Sequence, residues 1–312
     1  MELRQLRYFV AIVDSGSLSR AAARVHIVQP ALSQQMTQLE SELDVQLLQR
    51  SVKGVVPTEA GIALYRHAQH ILNLTEETKN IVHARASEIY GRVKLGLPSS
   101  IAMMLVGPLI AELEVRYPHI SLEIHESPSG YLAAQLLNEH VDLSILAGDS
   151  AIPGLDLTPL LDESLYFVQP RKTPLVRCGK TVSLHDLASV PLLLTTQATT
   201  LRRIVDHAFA EAGVAPIVKG EASSIQTMLA LVTQGNTGTL VAGSALSWHG
   251  SSAWLQKTLV TPPIVRRASL AHSRLIPLSA ASTYVRACVL EVVKKLVETG
   301  QWKGVTLVPA SD

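Results

Sequence analysis

The sequence predicts a mixed fold in which an all-helical head precedes a larger α/β region. In about the first ninety residues, apolar side chains recur every three or four positions, which is typical of amphipathic helices. Over the following part, about 220 residues long, short apolar runs of strand length alternate with helical stretches, and this pattern indicates parallel sheets with crossover helices. The 312 residues are enough for two or three domains.

Composition narrows the class of protein. With 47% hydrophobic residues and 27 Lys+Arg against 26 Asp+Glu, the chain is predicted to be globular rather than disordered or fibrous. Cys178 and Cys288 are the only cysteines, so neither a disulfide framework nor a thiolate metal site is expected, and a reducing compartment fits. No signal peptide is apparent, and polar residues interrupt the two long uncharged stretches. We therefore expect a cytoplasmic protein without a membrane segment.

Three helices and a hairpin are predicted for the head. Ser15 and Gly16 end the first helix, Ser17 is the expected N-cap of the second, and Gln29 and Pro30 open the third. The apolar faces of the first and third helices contain Leu3, Leu6, Val10 and Val13, and Leu32, Met36, Leu39 and Leu43. Lys53-Gly54 indicates a hairpin turn, and Thr58 is the expected N-cap of the next helix.

That next helix is predicted to be long, over residues 58–90. Positions that alternate by four and three hold apolar residues at five of eight places, namely Leu64, Ala68, Ile71, Val82 and Ile89. This weak seam suggests that the helix pairs with a second copy of the chain. An ordinary packed helix is the alternative that so short a pattern leaves open.

A polar stripe on the third helix is the strongest functional signal. Pro30, Ser33, Gln34 and Thr37 follow one another at helical spacing opposite the apolar face, and Gln29 stands at the start of the helix. Short hydroxyl and amide groups of this kind suit base edges in a major groove. Arg50 and Lys53, in the hairpin, would contact phosphates or a minor groove as a wing. The net charge of the head does not by itself indicate DNA binding, because residues 1–90 hold nine cations and nine anions. The alternative is that the three helices form a small bundle and that the polar stripe is simply solvated.

Six ordered motifs resemble one family, the LysR-type transcriptional regulators. They are LRQLRYFV (3–10), GSLSRAAA (16–23), QPALS (29–33), QLE (38–40), LLQR (47–50) and TEAG (58–61). Within the family, the subgroup that the chain resembles most is that of the nitrogen-assimilation-control regulators. Residue by residue, Gln29, Pro30, Ser33 and Gln34 match the family's DNA-reading positions, and Lys53 matches its wing.

The resemblance implies a particular division of the chain. It implies a winged helix-turn-helix domain (1–58), a linker and dimerisation helix (59–90), and an effector-binding α/β domain (91–312) built like a two-lobed periplasmic binding protein. Lobe I would comprise residues 92–167 and 268–312, and lobe II residues 168–267. The expected partners are a double-stranded DNA operator, a small-molecule effector and further copies of the chain in a dimer or homotetramer; RNA polymerase is compatible with such a role.

The effector contacts are predicted from helix starts that follow strands. Helix N-termini at the carboxyl ends of strands offer free N–H groups to an anion. The residues at such places are Ser99, Ser100, Ser129, Thr199 and Thr200, with Arg202 in the helix after the last pair. Each could instead be a simple N-cap. The family often has two glycines at spacing two, where this chain has Gly235 and Thr237, and a proline, where it has Ala242. The loop geometry there is therefore open, and so is the alternative of a constitutive regulator without an effector.

Catalytic motifs are not found. Gly179-Lys180-Thr181 lacks the glycine that a phosphate-binding loop needs five positions before Gly179, where Pro174 stands instead. His67 and His70 lie on one helix face without a third ligand near them in sequence. We therefore expect no enzyme, no cofactor and no metal. A solute-binding protein would explain residues 92–312 alone, but not the predicted head.

Overall fold

The computed structural model describes residues 1–51, 54–83, 89–148, 151–177, 179–246 and 254–309. It divides into two compact units, Met1–Tyr90 and Gly91–Asp312.

The first unit contains four helices and one hairpin within its described residues. They are α1 (Leu3–Ser15), α2 (Leu18–Arg24), α3 (Gln29–Leu43), β1 (Leu48–Ser51), β2 (Gly54–Pro57) and α4 (Glu59–His83). Leu6, Leu32, Met36 and Leu39 are buried as predicted. The last three belong to a core that also holds Phe9 and Ile12. The predicted burial of Leu3 and Leu43 is wrong: both are exposed, because each lies at a helix end beyond the core.

The turns of this unit fix the hairpin against the helices. Gly16 ends α1 in a left-handed conformation with φ +59°, and Val55 N donates to its carbonyl at 3.0 Å. A Cβ on Gly54 would lie 2.6 Å from that same carbonyl oxygen, so only glycine fits there. Thr58 is the N-cap that the sequence predicts, since its Oγ1 accepts from Gly61 N at 3.0 Å. Ser17 occupies the N-cap position of α2, but its side chain makes no capping bond.

Helix α4 is continuous from Glu59 to His83. The predicted end at residue 90 is wrong, because residues 89 and 90 are not helical, and residues 84–88 lie outside the described part. Ala68 is fully buried and Leu64 packs against the core of the first unit, so the start of the predicted seam belongs to this unit and not to a partner. Leu74, further along, is 53% exposed.

The second unit is an α/β structure with two sheets that share one strand. The described strands are β3 (Gly91–Leu97), β4 (Ile120–Glu126), β5 (Leu143–Ala147), β6 (Leu155–Pro170), β7 (Thr181–Ser183), β8 (Pro191–Thr195), β9 (Ile217–Ala222), β10 (Gly238–Ala242), β11 (Leu255–Thr261), β12 (Val265–Ser273) and β13 (Val305–Leu307). The helices are α5 (Ser99–Arg116), α6 (Ser129–Leu137), α7 (Leu184–Leu187), α8 (Thr200–Glu211), α9 (Ile225–Val232) and α10 (Ala280–Glu298), with a 3₁₀ turn at Gly243–Leu246.

The strand order is β4-β3-β5-β12-β6-β10-β8-β9, and β6 joins the two sheets. Its first part pairs with β12 as far as Ser164, and its second part pairs with β10 from Leu165 onward. The change of sheet therefore precedes the expected lobe boundary at 167/168. The short apolar runs seen in the sequence did not reveal one unbroken strand of 16 residues, because the sequence gives no signal where such a strand changes partner. Strand β10 forms and pairs with β8 and β6 in spite of Thr237 and Ala242. No helix of the described part is both long enough and apolar enough to cross a membrane.

Candidate DNA-binding face and effector cavity

The polar stripe on α3 points outward. Pro30 occupies the first turn, where its missing N–H costs nothing, and Val28 is the N-cap. Gln29, Pro30, Gln34 and Thr37 are exposed, and Ser33 is half-buried, while Leu32, Met36 and Leu39 on the other side are buried. The start of α3 thus presents amide and hydroxyl groups to solvent on one side of the helix.

The hairpin strand β1 approaches this stripe through Arg50. Arg50 Nη1 donates to Ser33 Oγ at 2.9 Å, which places an exposed guanidinium beside the stripe and not at the tip of the wing. The Thr37 hydroxyl donates to Ser33 O at 3.1 Å, so its proton is used within the helix. Lys53, the predicted wing tip, lies outside the described residues. The sequence placed Arg50 in the wing but contained no sign of its bond to Ser33.

Glu40 holds the hairpin against α3. Its Oε1 accepts from Leu47 N at 2.8 Å and from Leu48 N at 3.0 Å, just where β1 begins. Charge-assisted bonds of this kind are stronger than neutral ones. Sequence reasoning missed this residue, because an acidic residue on a polar helix face is ordinarily solvated. Glu40 therefore sets the position from which Arg50 reaches Ser33.

Tyr65 anchors α4 to α1. Its hydroxyl donates to Asp14 Oδ1, and Gln69 Nε2 donates to the same hydroxyl at 2.8 Å. Burial and the bond to the Asp14 carboxylate raise the pKa of Tyr65 above its ordinary value, so it stays protonated and continues to donate. Arg24 Nη1 pairs with the other Asp14 oxygen at 3.2 Å, which ties α2 to the same point.

A cavity of about 640 Å³ lies in the second unit between helices attached to the two sheets. It is lined by Ser129 and Gly130 at the start of α6, residues 146–148 at the end of β5, Ile152, Leu157, Ser269, and Thr200, Arg203, Ile204 and His207 of α8. Its volume lies within the range of small-molecule sites. The first residues of α6 and of α8 both belong to the lining, and the N-terminal ends of helices favour anions.

Arg203 supplies the positive charge of the cavity lining, which contains no carboxylate among the described residues. His207 also lines the cavity, and its Nε2 lies 3.3 Å from Glu211 Oε1. Arg203 Nη2 donates to Thr200 Oγ1 at 3.3 Å, so the guanidinium is held at the N-terminal turn of α8. Ser129 Oγ already accepts from Ala147 N at 2.9 Å and keeps its own proton for a ligand. The arrangement suits a small anion.

Of the six predicted effector residues, the structure brings only Ser129 and Thr200 to this cavity. Ser99, Ser100 and Thr199, which are predicted from the sequence to line one cleft with these two, do not line this cavity. Thr199 is the N-cap of α8, accepting from Arg202 N at 3.2 Å. Ser99 is the first residue of α5 and does not line the cavity, and Ser100 is fully buried, where its Oγ accepts from Arg266 Nη2 at 3.1 Å.

Arg202 is a structural residue, and its neighbour Arg203 faces the cavity. Arg202 is 6% exposed, and its Nε donates to both Asp206 oxygens at 2.8 and 2.9 Å. Its Nη1 donates to Glu221 Oε1 at 2.6 Å and to Thr195 O. Burial by itself lowers the pKa of Arg202, but the hydrogen bonds to Glu221 and Asp206 outweigh this and raise it. The helical period could have favoured Arg203, because it lies three residues after Thr200 on the same face.

A buried ion pair lies where β6 changes sheet. Arg266, 3% exposed, pairs with Glu163, which is fully buried. Trp302 Nε1 and Ser244 N donate to Glu163 Oε1 at 3.4 and 3.3 Å. Glu163 lies on β6 and Arg266 on β12. Through Ser100, Ser244 and Trp302 the pair is also connected to α5, to the 3₁₀ turn and to the segment after α10. Among the described residues, no group of three or more His, Cys, Asp or Glu could hold a metal ion.

The comparisons with known proteins agree with both units. Residues 3–62 match the model of the bacterial regulatory helix-turn-helix proteins of the lysR family, and residues 86–294 match that of the LysR substrate binding domain. The nitrogen assimilation regulatory protein nac of Escherichia coli (strain K12) is 34% identical over 307 residues, covering 97% of this chain and 99% of the relative. The protein of the same name from Klebsiella aerogenes is 36% identical, covering 95% and 96%.

Solved structures give the same fold. A full-length OxyR variant from Pseudomonas aeruginosa superposes with a TM-score of 0.70 at 25% identity, covering 94% of this chain and 98% of the other. The structure of full-length CbnR complexed with its target DNA has a TM-score of 0.67 at 23% identity, covering 95% and 99%, a likeness of fold alone.

A helix-turn-helix head joined to a two-sheet domain with an anion-suited cavity defines a DNA-binding transcriptional regulator with an effector-binding domain. The chain belongs to the LysR family of such regulators. The resemblance that the six head motifs predict is thereby confirmed.

Proposed function

We propose that Gln29, Pro30, Ser33, Gln34, Thr37 and Arg50 form the surface that reads the operator, with Lys53 as the wing residue. The observation that carries this is the bond from Arg50 to Ser33, which unites the hairpin and α3 in one exposed surface. Gln34 supplies a donor and an acceptor for a base edge, and Arg50 supplies a guanidinium that can bind guanine or a phosphate. Neutral net charge of the head is compatible with this, since readout depends on a few placed groups.

A double-mutant cycle tests whether Ser33 positions Arg50. We expect Ser33→Ala and Arg50→Ala each to weaken operator binding, and the double variant to be little weaker than Arg50→Ala alone, because the two side chains act together. Coupling of ~0.5–3 kcal/mol is typical of residues in contact. Thr37→Val is the matched control: the Thr37 hydroxyl donates to a backbone carbonyl, so the effect of its removal should add to that of Arg50→Ala. Strictly additive losses for Ser33 and Arg50 would refute the positioning role.

The cavity beside Arg203 is proposed as the effector site, and a small anion as its ligand. Its support is the combination of two helix N-terminal ends, a cationic lining and a suitable volume. A ligand shifts the regulator only if it binds one arrangement of the domain better than another. Binding should therefore change the length of the DNA footprint. A footprint that ignores every small anion would instead favour a constitutive regulator.

We propose further that the protein is a cytoplasmic homotetramer that acts without catalysis and contacts RNA polymerase at promoters. Its domains would be the DNA-binding head (1–58), the linker helix (59–90) and the effector-binding domain (91–312). Support for oligomerisation comes from exposed apolar residues on elements at the two sheet edges and on α4, namely Ile110, Val115, Ile217, Val218, Leu231 and Leu74. Sedimentation equilibrium should give four chains per particle. A monomer that still binds its operator specifically would exclude this assembly.

A further inference from the structure

A basic patch stands out at one edge of the second sheet. It consists of Arg171, Lys172, Arg177, Lys180 and Lys257, all of them exposed. Residues 164–185 and 222–290 contain no Asp or Glu, although the whole chain is almost neutral at +1. Within the described ranges, no carboxylate forms an ion pair with Lys172, Arg177, Lys180 or Lys257. The patch therefore concentrates positive charge that the protein itself leaves largely unneutralised.

Strand pairing brings these cations together. The end of β6 lies against the start of β11, with Val168 opposite Lys257, and Arg171 N donates to Trp254 O at 2.8 Å. Strand β7, which begins one residue after Lys180, runs parallel to β11. Lys172 Nζ lies 4.9 Å from the ring centre of Trp254, a side chain that is 56% exposed. Lys257 Nζ lies 5.8 Å from the ring centre of Tyr166. Segments distant in sequence thus bring the five cations to one edge of the sheet.

The loop that carries Lys172 and Arg177 is held in place by hydrogen bonds to a buried side chain. Gln169 is fully buried, and its Oε1 accepts from Leu175 N at 2.8 Å and from Val176 N at 3.1 Å. Its Nε2 donates to Val176 O at 2.9 Å. Leu175 and Val176 also pack against the hydrophobic core beneath. Lys172 precedes this anchor and Arg177 directly follows it, and a backbone anchored in this way lowers the entropy lost on binding.

We propose that this basic patch binds the phosphate backbone of the DNA that flanks the operator. The head holds nine cations and nine anions, so cations of the second unit that contact phosphates would release further counterions. A surface tethered to a head that already holds DNA meets that polyanion at high effective concentration, so weak single contacts suffice. The occupant is a duplex of any sequence, because cations on a strand edge neutralise phosphates without reading bases.

The test compares two triple variants of the full chain on two duplexes. The patch variant is Lys172→Gln, Arg177→Gln and Lys180→Gln, which spares Arg171 and its bond to the Leu255 carbonyl. The control variant is Arg274→Gln, Lys294→Gln and Lys303→Gln, which removes the same charge from exposed positions outside the patch. One duplex is trimmed to the bound operator, and the other carries the same operator extended by several helical turns on each side. Affinity is measured over a range of salt concentrations.

On the long duplex, we expect the patch variant to bind at least tenfold more weakly than the control variant at low salt. The slope of log affinity against log salt should become shallower by ~0.9 for each phosphate that the variant no longer neutralises, up to about three phosphates per chain. On the trimmed duplex the two variants should bind alike, which also shows that the head is intact. Equal affinity and slope on the long duplex would overturn the proposal. If the patch variant binds DNA normally but loses activation in a purified transcription reaction, the patch binds an acidic protein surface instead of DNA, and the proposal is overturned as well.

Discussion

Replacing Arg266 with alanine is expected to destabilise the second unit by ~3–5 kcal/mol, because it leaves the Glu163 carboxylate buried without its partner. The adjacent residue provides a matched control. Arg267 pairs with Asp162 at 2.8 Å, but 40% of the Arg267 side chain and 25% of the Asp162 side chain are exposed. Arg267→Ala should therefore cost only ~0–1 kcal/mol. Urea denaturation of the full chain, followed by circular dichroism, measures both effects.

A third variant separates the buried charge from the packing of Arg266. In Arg266→Met with Glu163→Gln, both charges are removed and similar volumes are kept, so we expect the double variant to be more stable than Arg266→Ala. Equal losses for Arg266→Ala and Arg267→Ala would contradict the ion-pair account. Ser100, which the sequence predicts as an effector contact, instead accepts a hydrogen bond from Arg266 within this same buried group.

Replacing Arg203 with alanine is expected to weaken anion binding in the cavity about 10- to 100-fold, since a hydrogen bond to a charged group contributes ~1.5–3 kcal/mol. The measurement is the rise in unfolding temperature of the second unit with inorganic phosphate, sulfate and small mono- and dicarboxylates. An anion present at about 100 times its dissociation constant should stabilise the wild type by about 2.7 kcal/mol, and much of this shift should disappear in Arg203→Ala.

Ser99→Ala is the control for that experiment, because Ser99 starts a helix but does not line the cavity. Its ligand-dependent shift should equal that of the wild type. If the same anions stabilise the Arg203→Ala and wild-type proteins equally, the cavity is not their binding site.

The order and approximate bounds of the helices and the hairpin of the head were predictable from sequence. Its helices are amphipathic and short, and their ends carry local signals such as Gly16, Pro30 and Thr58, so each element can be located from neighbouring residues. The cavity that we propose as the effector site was predictable only in part. Ser129 and Thr200 follow from the rule that helices begin beyond strands, whereas the choice between Arg202 and Arg203 depends on how α8 is rotated against its sheet.

Contacts distant in sequence escaped prediction for a physical reason. The bond from Arg50 to Ser33 and the pair formed by Glu163 and Arg266 join residues that periodicity treats independently. Likewise, nothing in the local pattern of β6 shows that it leaves one sheet at Ser164 and enters the other at Leu165. Such features are set by tertiary packing.

Sequence-specific reading of DNA by α3 is tested most directly by sequencing the genomic fragments that the wild-type protein and Gln34→Ala retain. The wild type should enrich a discrete set of sites with two related half-sites, because two heads bind at a fixed spacing. Gln34→Ala should lose the preference for one base in each half-site and keep the salt dependence of the wild type, since an exposed amide reads a base edge without neutralising a phosphate. Fragments without a common motif, or an identical motif for both proteins, would contradict base reading by Gln34.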